Sequence, residues 1–335
     1  MIINFKLRVT QLIIVTLVVF ILALSVVLPV QASSPNPFGI MTWGKTNSIK
    51  VQIANNLGSE YYRPLSIFLT SWQGVCPECD AAVNGGLKLI LTVRDNENAN
   101  PSANLNQFKN MLARVLNKYT PEVLVVENEE NSNRFYKGTA KQYLAELSAG
   151  CTVAHSKDVK CANGGLVSKL VVVLVSQNYI NNGDPNRADD YLRRALSPDD
   201  YSGIYQWISS PVGQAQIKRG QDLLAGYKTA GADFVNFHWY QADEGTLTDA
   251  VAYLSTASKG LPVFTNEAGQ QQNTDPNQVT SFMQKAVDLN LPYAVWFSSD
   301  TNGTDGAMAL TDFDGTLRDN GKAYQQFVLN NFSTN

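Results

Sequence analysis

Two stretches of the chain place a glutamate directly after a short apolar run. Residues 121–131 read PEVLVVENEEN, and residues 261–270 read LPVFTNEAGQ. Each apolar run is typical of a strand buried on both faces, and each leads into an Asn-Glu pair whose glutamates are Glu129 and Glu267. Two carboxylates at the ends of two buried strands can divide acid–base work, one as nucleophile and one as proton donor and acceptor. These glutamates are the candidate catalytic pair.

The first stretch carries three glutamates within four residues, so the identity of the acid needs an argument. Alternation along a strand turns Glu127 away from the face that Asn128 shares. The same spacing does not separate Glu129 from Glu130, and both stay open as the acid at this point.

The elements that must position these carboxylates follow a repeating pattern. Short apolar runs alternate with helical segments, which predicts β–α units and a parallel sheet. The eight strand candidates are residues 38–43, 61–64, 87–94, 123–128, 159–165, 234–240, 263–267 and 293–298. This count favours a single-domain (β/α)8 TIM barrel over residues 33–335, a fold that usually takes about 250 residues.

Helical periodicity is clearest in residues 105–119. A helix after the seventh strand is predicted to start with Asp275 as its N-cap and Pro276 in its first turn. Further helices are predicted at residues 49–57, 140–147 with a stop at Gly150, 247–254 and 323–328. Residues 166–216 are interpreted as one irregular insertion after the fifth strand, with a helical piece near 189–196. The apolar run 170–175 inside it is an alternative candidate for the fifth strand.

Active sites of such barrels lie at the C-terminal ends of the strands, where further polar and aromatic residues fall. Arg63 could keep a carboxylate ionised by its charge, and the Tyr240 hydroxyl could donate a hydrogen bond to it. Trp43 and Trp296 offer flat apolar faces on which a sugar ring could stack.

Several short motifs resemble the retaining (β/α)8 glycoside hydrolases of clan A. They are WGK at 43, Arg63, VENEE at 126, HWY at 238, TNEAG at 265, VWF at 295 and the closing stretch ALTDFDGTLRDNG at 309. By that resemblance Glu129 is the acid/base, Glu267 is the nucleophile and Asn128 binds the sugar 2-hydroxyl. The chain departs from the pattern at Glu130, where many relatives carry proline or a small residue.

The resemblance also implies roles for the surrounding residues and a reaction. Tyr240 would orient the nucleophile, and His238, Arg63 and Trp296 would line the subsite in which the bond breaks. The implied activity is hydrolysis of β-linked poly- or oligosaccharides by a monomer, without a cofactor. The alternative is an inactive barrel that binds carbohydrate or attaches the protein to a surface, and hydrolysis separates the two.

Composition argues against several other classes of protein. The net charge of −3 gives no basic excess for binding nucleic acid. Two histidines in 335 residues are a thin supply for a metal-dependent barrel hydrolase, so no metal is predicted. Neither histidine is accompanied by a nucleophile-elbow motif, which disfavours Ser-His-Asp catalysis.

The N-terminus and the cysteines both indicate export. Lys6 and Arg8 precede the apolar run 12–28, and Val30-Gln31-Ala32 offers a cleavage site, so residues 1–32 are interpreted as a signal peptide of a secreted protein. An uncleaved membrane anchor is the alternative. The four cysteines are expected to form two local disulfides between nearest neighbours.

Overall fold

The computed structural model describes residues 35–241, 243–269, 275–297 and 308–332. Residues 1–32, where the signal peptide is predicted, lie outside these ranges, as does Ser298 at the end of the eighth predicted strand. Within the described ranges, no helix has the length and apolar character needed to cross a membrane.

Eight parallel strands form a nearly closed barrel, which confirms the predicted fold. The strands are β1 (Phe38–Ile40), β2 (Tyr61–Tyr62), β3 (Lys88–Arg94), β4 (Val123–Val126), β5 (Lys160–Asn163), β6 (Val235–Trp239), β7 (Val263–Ala268) and β8 (Ala294–Trp296). Sequence neighbours pair from β1 to β5 and from β6 to β8, and β1 pairs with β8. Strands β5 and β6 meet through two parallel bridges, Ala162–Phe234 and Leu166–Phe237. A two-residue strand, Ile67–Phe68, adds to the end of β3.

The alternating side chains of the strands build two cores. Val123 and Val125 point into the barrel, where they belong to a cluster of nine buried apolar residues that also includes Tyr61 and Phe264. Leu124 and the other outward-facing residues belong to a much larger core between the barrel and its helices. Burial on both faces explains why the strands read as continuous apolar runs instead of alternating patterns. Most observed strands end earlier than predicted, because the residues that follow turn into the loops at the barrel mouth.

Eleven helices lie within the described residues. They are α1 (Asn47–Asn56), α2 (Pro77–Asn84), α3 (Leu105–Lys118), α4 (Ala140–His155), α5 (Ser168–Asn181), α6 (Pro185–Ala195), α7 (Pro198–Ser209), α8 (Pro211–Tyr227), α9 (Glu244–Ala257), α10 (Pro276–Asp288) and α11 (Asp319–Phe332). Asp275 caps α10 and Pro276 opens it, as predicted. The predicted end of α4 at Gly150 was wrong. A Cβ at Gly150 would lie 2.7 Å from Val126, so this glycine lets the helix pack closely on β4.

The interpretation of residues 166–216 as irregular was also wrong, because this region and the residues up to 227 form four helices, α5 to α8. The apolar run 170–175 lies in α5, so it is not the fifth strand. It lacks helical periodicity because all its residues are buried. The prolines that open α6, α7 and α8 each follow a capping residue, Asp184, Ser197 or Ser210, and were the overlooked start signals.

The predicted disulfide pairing is confirmed. Cys76 bonds to Cys79 at the start of α2, and Cys151 bonds to Cys161, which ties α4 to β5.

Candidate active site

Glu267 lies near the end of β7 and is held by donors from two other strand ends. Arg63, just after β2, donates from Nη1 to Glu267 Oε2 at 2.6 Å, and the Tyr240 hydroxyl, just after β6, donates to Oε1 at 2.5 Å. Burial by itself raises the pKa of this carboxyl. Electrostatic interactions with His238 and Arg63, with the hydrogen bonds from Tyr240 and Arg63, outweigh burial and bring the pKa of Glu267 below its usual value. Glu267 is therefore ionised at neutral pH.

Arg63 also connects Glu267 to the end of β4. Its second terminal nitrogen donates to Asn128 Oδ1 at 2.9 Å, which leaves the amide nitrogen of Asn128 as the donor available to a ligand. Further contacts of the guanidinium, to Thr92 Oγ1 at 3.4 Å and Met41 Sδ at 3.3 Å, fix it inside the barrel mouth.

Glu129 lies in a strained turn after β4. Its φ is 42° and that of Glu127 is 66°, so two of three consecutive non-glycine residues have left-handed backbone. Each such residue costs on the order of 1–3 kcal/mol and persists only where its surroundings impose it. The side chain of Glu129 is 17% exposed, and its Oε1 lies 3.0 Å from His238 Nδ1.

Two adjacent glycines after β5 allow this arrangement. A Cβ at Gly164 would lie 2.8 Å from the Glu127 carbonyl carbon, and one at Gly165 would collide with the His238 ring. Gly165 also has a φ of 106°, a conformation that L side chains rarely adopt. These glycines bring the turn after β4 and the end of β6 together.

His238 lies between the two proposed catalytic carboxylates. Its Nδ1 is 3.0 Å from Glu129 Oε1 and 3.5 Å from Glu267 Oε1, so this nitrogen donates to carboxylate oxygens. The Glu129, His238 and Glu267 ligand atoms lie within 4.8 Å of one another. Such a trio could hold a divalent cation, but the Arg63 charge and two donors already bound to Glu267 disfavour a second cation there.

The other two glutamates of the β4 end are buried in separate pockets. Glu130 Oε1 accepts hydrogen bonds from Asn163 Nδ2 at 2.7 Å and from the Tyr227 hydroxyl. Burial raises the pKa of Glu130. Glu127 accepts from the Asp95 amide at 2.6 Å and is also fully packed. Of the three carboxylates, Glu129 is the one that lines the cavity at the barrel mouth.

This cavity at the barrel mouth, the mouth cavity, has a volume of about 470 Å³. Glu129 and Tyr240 line one side of it. The opposite wall comes from the helical insertion, with Arg194 at the end of α6 and Asp200 in the first turn of α7. The sequence analysis missed this wall because it interpreted the insertion as irregular. The prolines that open α6, α7 and α8 were the signal that could have predicted its helices.

The two tryptophans predicted to stack on sugar lie in different environments. Trp43 is 47% exposed and meets Phe297 edge-to-face, and Phe297 in turn meets Tyr240. Phe297, which sequence reasoning did not single out, therefore joins the aromatic surface at the mouth. Trp296 is 2% exposed, and its indole nitrogen donates to the Met308 carbonyl at 2.9 Å. It lies beneath the site and presents no open face.

Comparisons with known proteins agree with this architecture. Residues 178–324, less than half of the chain, match the family model described as the glycosyl hydrolase catalytic core. That segment contains Glu267 but not Glu129. No curated protein sequence matches the chain significantly.

Similar solved structures include several β-1,3-glucanases. A subgroup I GH128 endo-β-1,3-glucanase from Amycolatopsis mediterranei, in complex with laminarihexaose, is 12% identical, with a TM-score of 0.52 over 87% of this chain and 99% of that one. A subgroup II endo-β-1,3-glucanase from Pseudomonas viridiflava is 15% identical, with a TM-score of 0.53 over 86% and 96%. A subgroup VI exo-β-1,3-glucanase from Aureobasidium namibiae is 12% identical, with a TM-score of 0.52 over 87% and 97%. At these identities the likeness shows a shared fold.

Proposed function

We propose that this protein is a retaining glycoside hydrolase that cleaves β-linked glucans outside the cytoplasm. The observation that carries the proposal is the pairing of Glu129 with Glu267 across the barrel mouth, where one oxygen of each carboxylate lies within 4.8 Å of the other. Retaining enzymes place their carboxyl groups about 5–5.5 Å apart, whereas inverting enzymes need about 6.5–9.5 Å to admit a water molecule.

The surroundings of the two carboxylates divide their roles. Glu267, kept ionised by Arg63 and oriented by Tyr240, attacks the anomeric carbon and forms a glycosyl-enzyme ester. Glu129 donates a proton to the departing glycosidic oxygen. It then takes a proton from the water that hydrolyses the ester, which frees Glu267 and returns the proton to Glu129. The Asn128 amide nitrogen donates to a sugar hydroxyl, a role supported by the Arg63 hydrogen bond that holds its side-chain oxygen.

The substrate class rests on the family model and the solved structures. The model describes a glycosyl hydrolase core, and the similar structures are named as endo- and exo-β-1,3-glucanases. Trp43 and Phe297 supply aromatic surface for sugar rings at the mouth. The two disulfides support a location outside the reducing cytoplasm.

The test is hydrolysis with assignment of the first product. Wild-type protein is incubated with laminarin, other β-glucans, mannan and xylan, and reducing ends are measured. Proton NMR of the first product should show the β-anomer before mutarotation. If an α-anomer forms first, the enzyme inverts and the nucleophile role of Glu267 fails. If glycans bind and no reducing ends appear, the chain is a carbohydrate-binding protein.

A further inference from the structure

A second cavity, the distal cavity, has a volume of about 630 Å³ and adjoins the mouth cavity. The two cavities share three lining residues, Val167, Lys169 and Asp200. Lys169 Nζ donates to Asp200 Oδ1 at 2.6 Å, so an ion pair forms the boundary between the cavities. Both side chains are about half exposed, and such pairs contribute little to stability. Hydroxyl groups of a bound chain can take their place.

The position of the distal cavity indicates which side of the cleaved glycosidic bond it serves. Its near wall is the segment 131–134, which follows Glu129 closely, and Asn131 Oδ1 anchors this segment by accepting from the Val167 amide at 3.0 Å. The general acid protonates the oxygen of the leaving group. A cavity that opens beyond the acid is therefore placed to receive the sugars that leave.

The lining has the chemistry of a sugar site. Trp207, on α7, is half-buried and packs one part of its ring on the core while the rest lines the cavity. Hydroxyl, amide and guanidinium groups of Ser132, Asn133 and Arg134 line the same space. An aromatic face with hydrogen-bonding groups around it is what a pyranose ring needs, because its carbon faces are apolar and its rim carries hydroxyls.

We infer that the distal cavity binds the leaving-group side of a β-glucan chain, with Trp207 as the stacking platform. This inference rests on the proposed function for the direction of the chain. It also gives the helical insertion a role in substrate binding, because α7 extends the substrate site away from the barrel axis and favours longer substrates.

The experiment compares Trp207→Ala with wild type on two substrates of different length. One is a β-1,3-linked glucose hexasaccharide, and the other is an aryl β-glucoside that is too short to reach Trp207. We expect kcat/KM for the hexasaccharide to fall about tenfold, equivalent to about 1.4 kcal/mol, with little change for the aryl glucoside. Transfer of glucosyl units to added oligosaccharide acceptors should fall similarly, and Trp207→Phe should restore much of both.

Tyr205→Ala is the matched control, because Tyr205 is an exposed aromatic residue on the same helix that does not line the cavity. An unchanged hexasaccharide rate in Trp207→Ala would overturn the inference. An equal loss on both substrates would also overturn it, because that result indicates a structural role. If wild type hydrolyses neither substrate, calorimetry replaces kinetics. Weaker hexasaccharide binding by Trp207→Ala then supports the cavity while the proposed function fails, and equal binding rejects the cavity.

Discussion

The two proposed catalytic carboxylates are held in opposite ways. Glu267 belongs to β7 itself, and Arg63 and Tyr240 bind both of its oxygens. Glu129 lies in a left-handed turn beyond its strand, and its carboxylate is within hydrogen-bond distance of His238. A group that must attack a defined carbon benefits from a fixed orientation and a retained charge. A group that gives and takes protons in successive steps benefits from access to solvent, and Glu129 is the more exposed of the two.

The ends of β4 and β7 also differ in the partners that stabilise their buried carboxylates. Glu267 meets an opposite charge in Arg63, which offsets the cost of burial. The β4 end has three glutamates, and two of them are buried with partners of their own: Asn163 and Tyr227 for Glu130, and the Asp95 amide for Glu127. The strand end that looks rich in catalytic carboxylates therefore presents a single one to the cavity.

The largest effect should follow from Glu267→Gln. The glutamine oxygen can accept from Arg63 and the glutamine NH2 can donate to the Tyr240 hydroxyl oxygen, so we expect folding and glycan binding to persist while kcat falls by about 10⁴-fold or more. Steady-state kinetics with an aryl β-glucoside measures the loss, and circular dichroism checks the fold. A reduction below tenfold would show that Glu267 is not the nucleophile. Glu97→Gln, an exposed glutamate on the loop after β3, is the control and should retain wild-type activity.

A smaller effect is expected for Glu129→Ala, because loss of a general acid typically costs about 10²–10⁴-fold. Azide should restore turnover of an activated aryl glycoside, since a small anion can enter the vacated space and attack the glycosyl-enzyme. Product analysis should then find a glycosyl azide of β configuration.

Glu130→Ala tests whether Glu129 or Glu130 is the acid/base. This change leaves the Tyr227 hydroxyl and the Asn163 amide without their acceptor, which costs about 1–3 kcal/mol in unfolding free energy. Its activity loss should follow from reduced stability and should not respond to azide. Rescue of Glu130→Ala, and none of Glu129→Ala, would move the acid/base by one residue.

Sequence periodicity predicted the barrel because each strand is a short apolar run bounded by turn residues, and the candidate pair followed from the strand ends. The choice between Glu129 and Glu130 could not follow from alternation, because the positive φ angles at Glu127 and Glu129 break the period of two. The helical wall was missed because the run 170–175 in α5 is buried all round and carries no helical period. The sequence could not show that Trp43 is exposed and Trp296 is buried, because both are tryptophans after apolar runs and only tertiary packing decides which ring stays exposed.

The smallest expected effect is on the pH dependence of the unfolding free energy. It depends on Glu127, at the end of β4, and on Glu146 in α4. Glu127 and Glu146 are both buried, and Glu146 Oε1 has no hydrogen-bond partner among the described residues. Burial and then repulsion by Glu146 raise the pKa of Glu127, and burial raises the pKa of Glu146. The folded state thus keeps a proton that the unfolded chain releases above a pH of about 4.3.

Stability should therefore fall as pH rises, because the folded state binds more protons than the unfolded state in this range. Glu146→Gln removes one of the two buried carboxyls, and with it the charge that repels Glu127, and should reduce the loss of unfolding free energy between pH 5 and pH 8 by about 1 kcal/mol or more. Urea unfolding at the two pH values measures the difference, with Glu97→Gln as the exposed control. If Glu146→Gln is less stable than wild type by the same amount at both pH values, the folded state does not bind an additional proton at Glu146. The β4 end would then hold its buried charges by solvation from Arg94 and the Asp95 amide, as the β7 end does with Arg63.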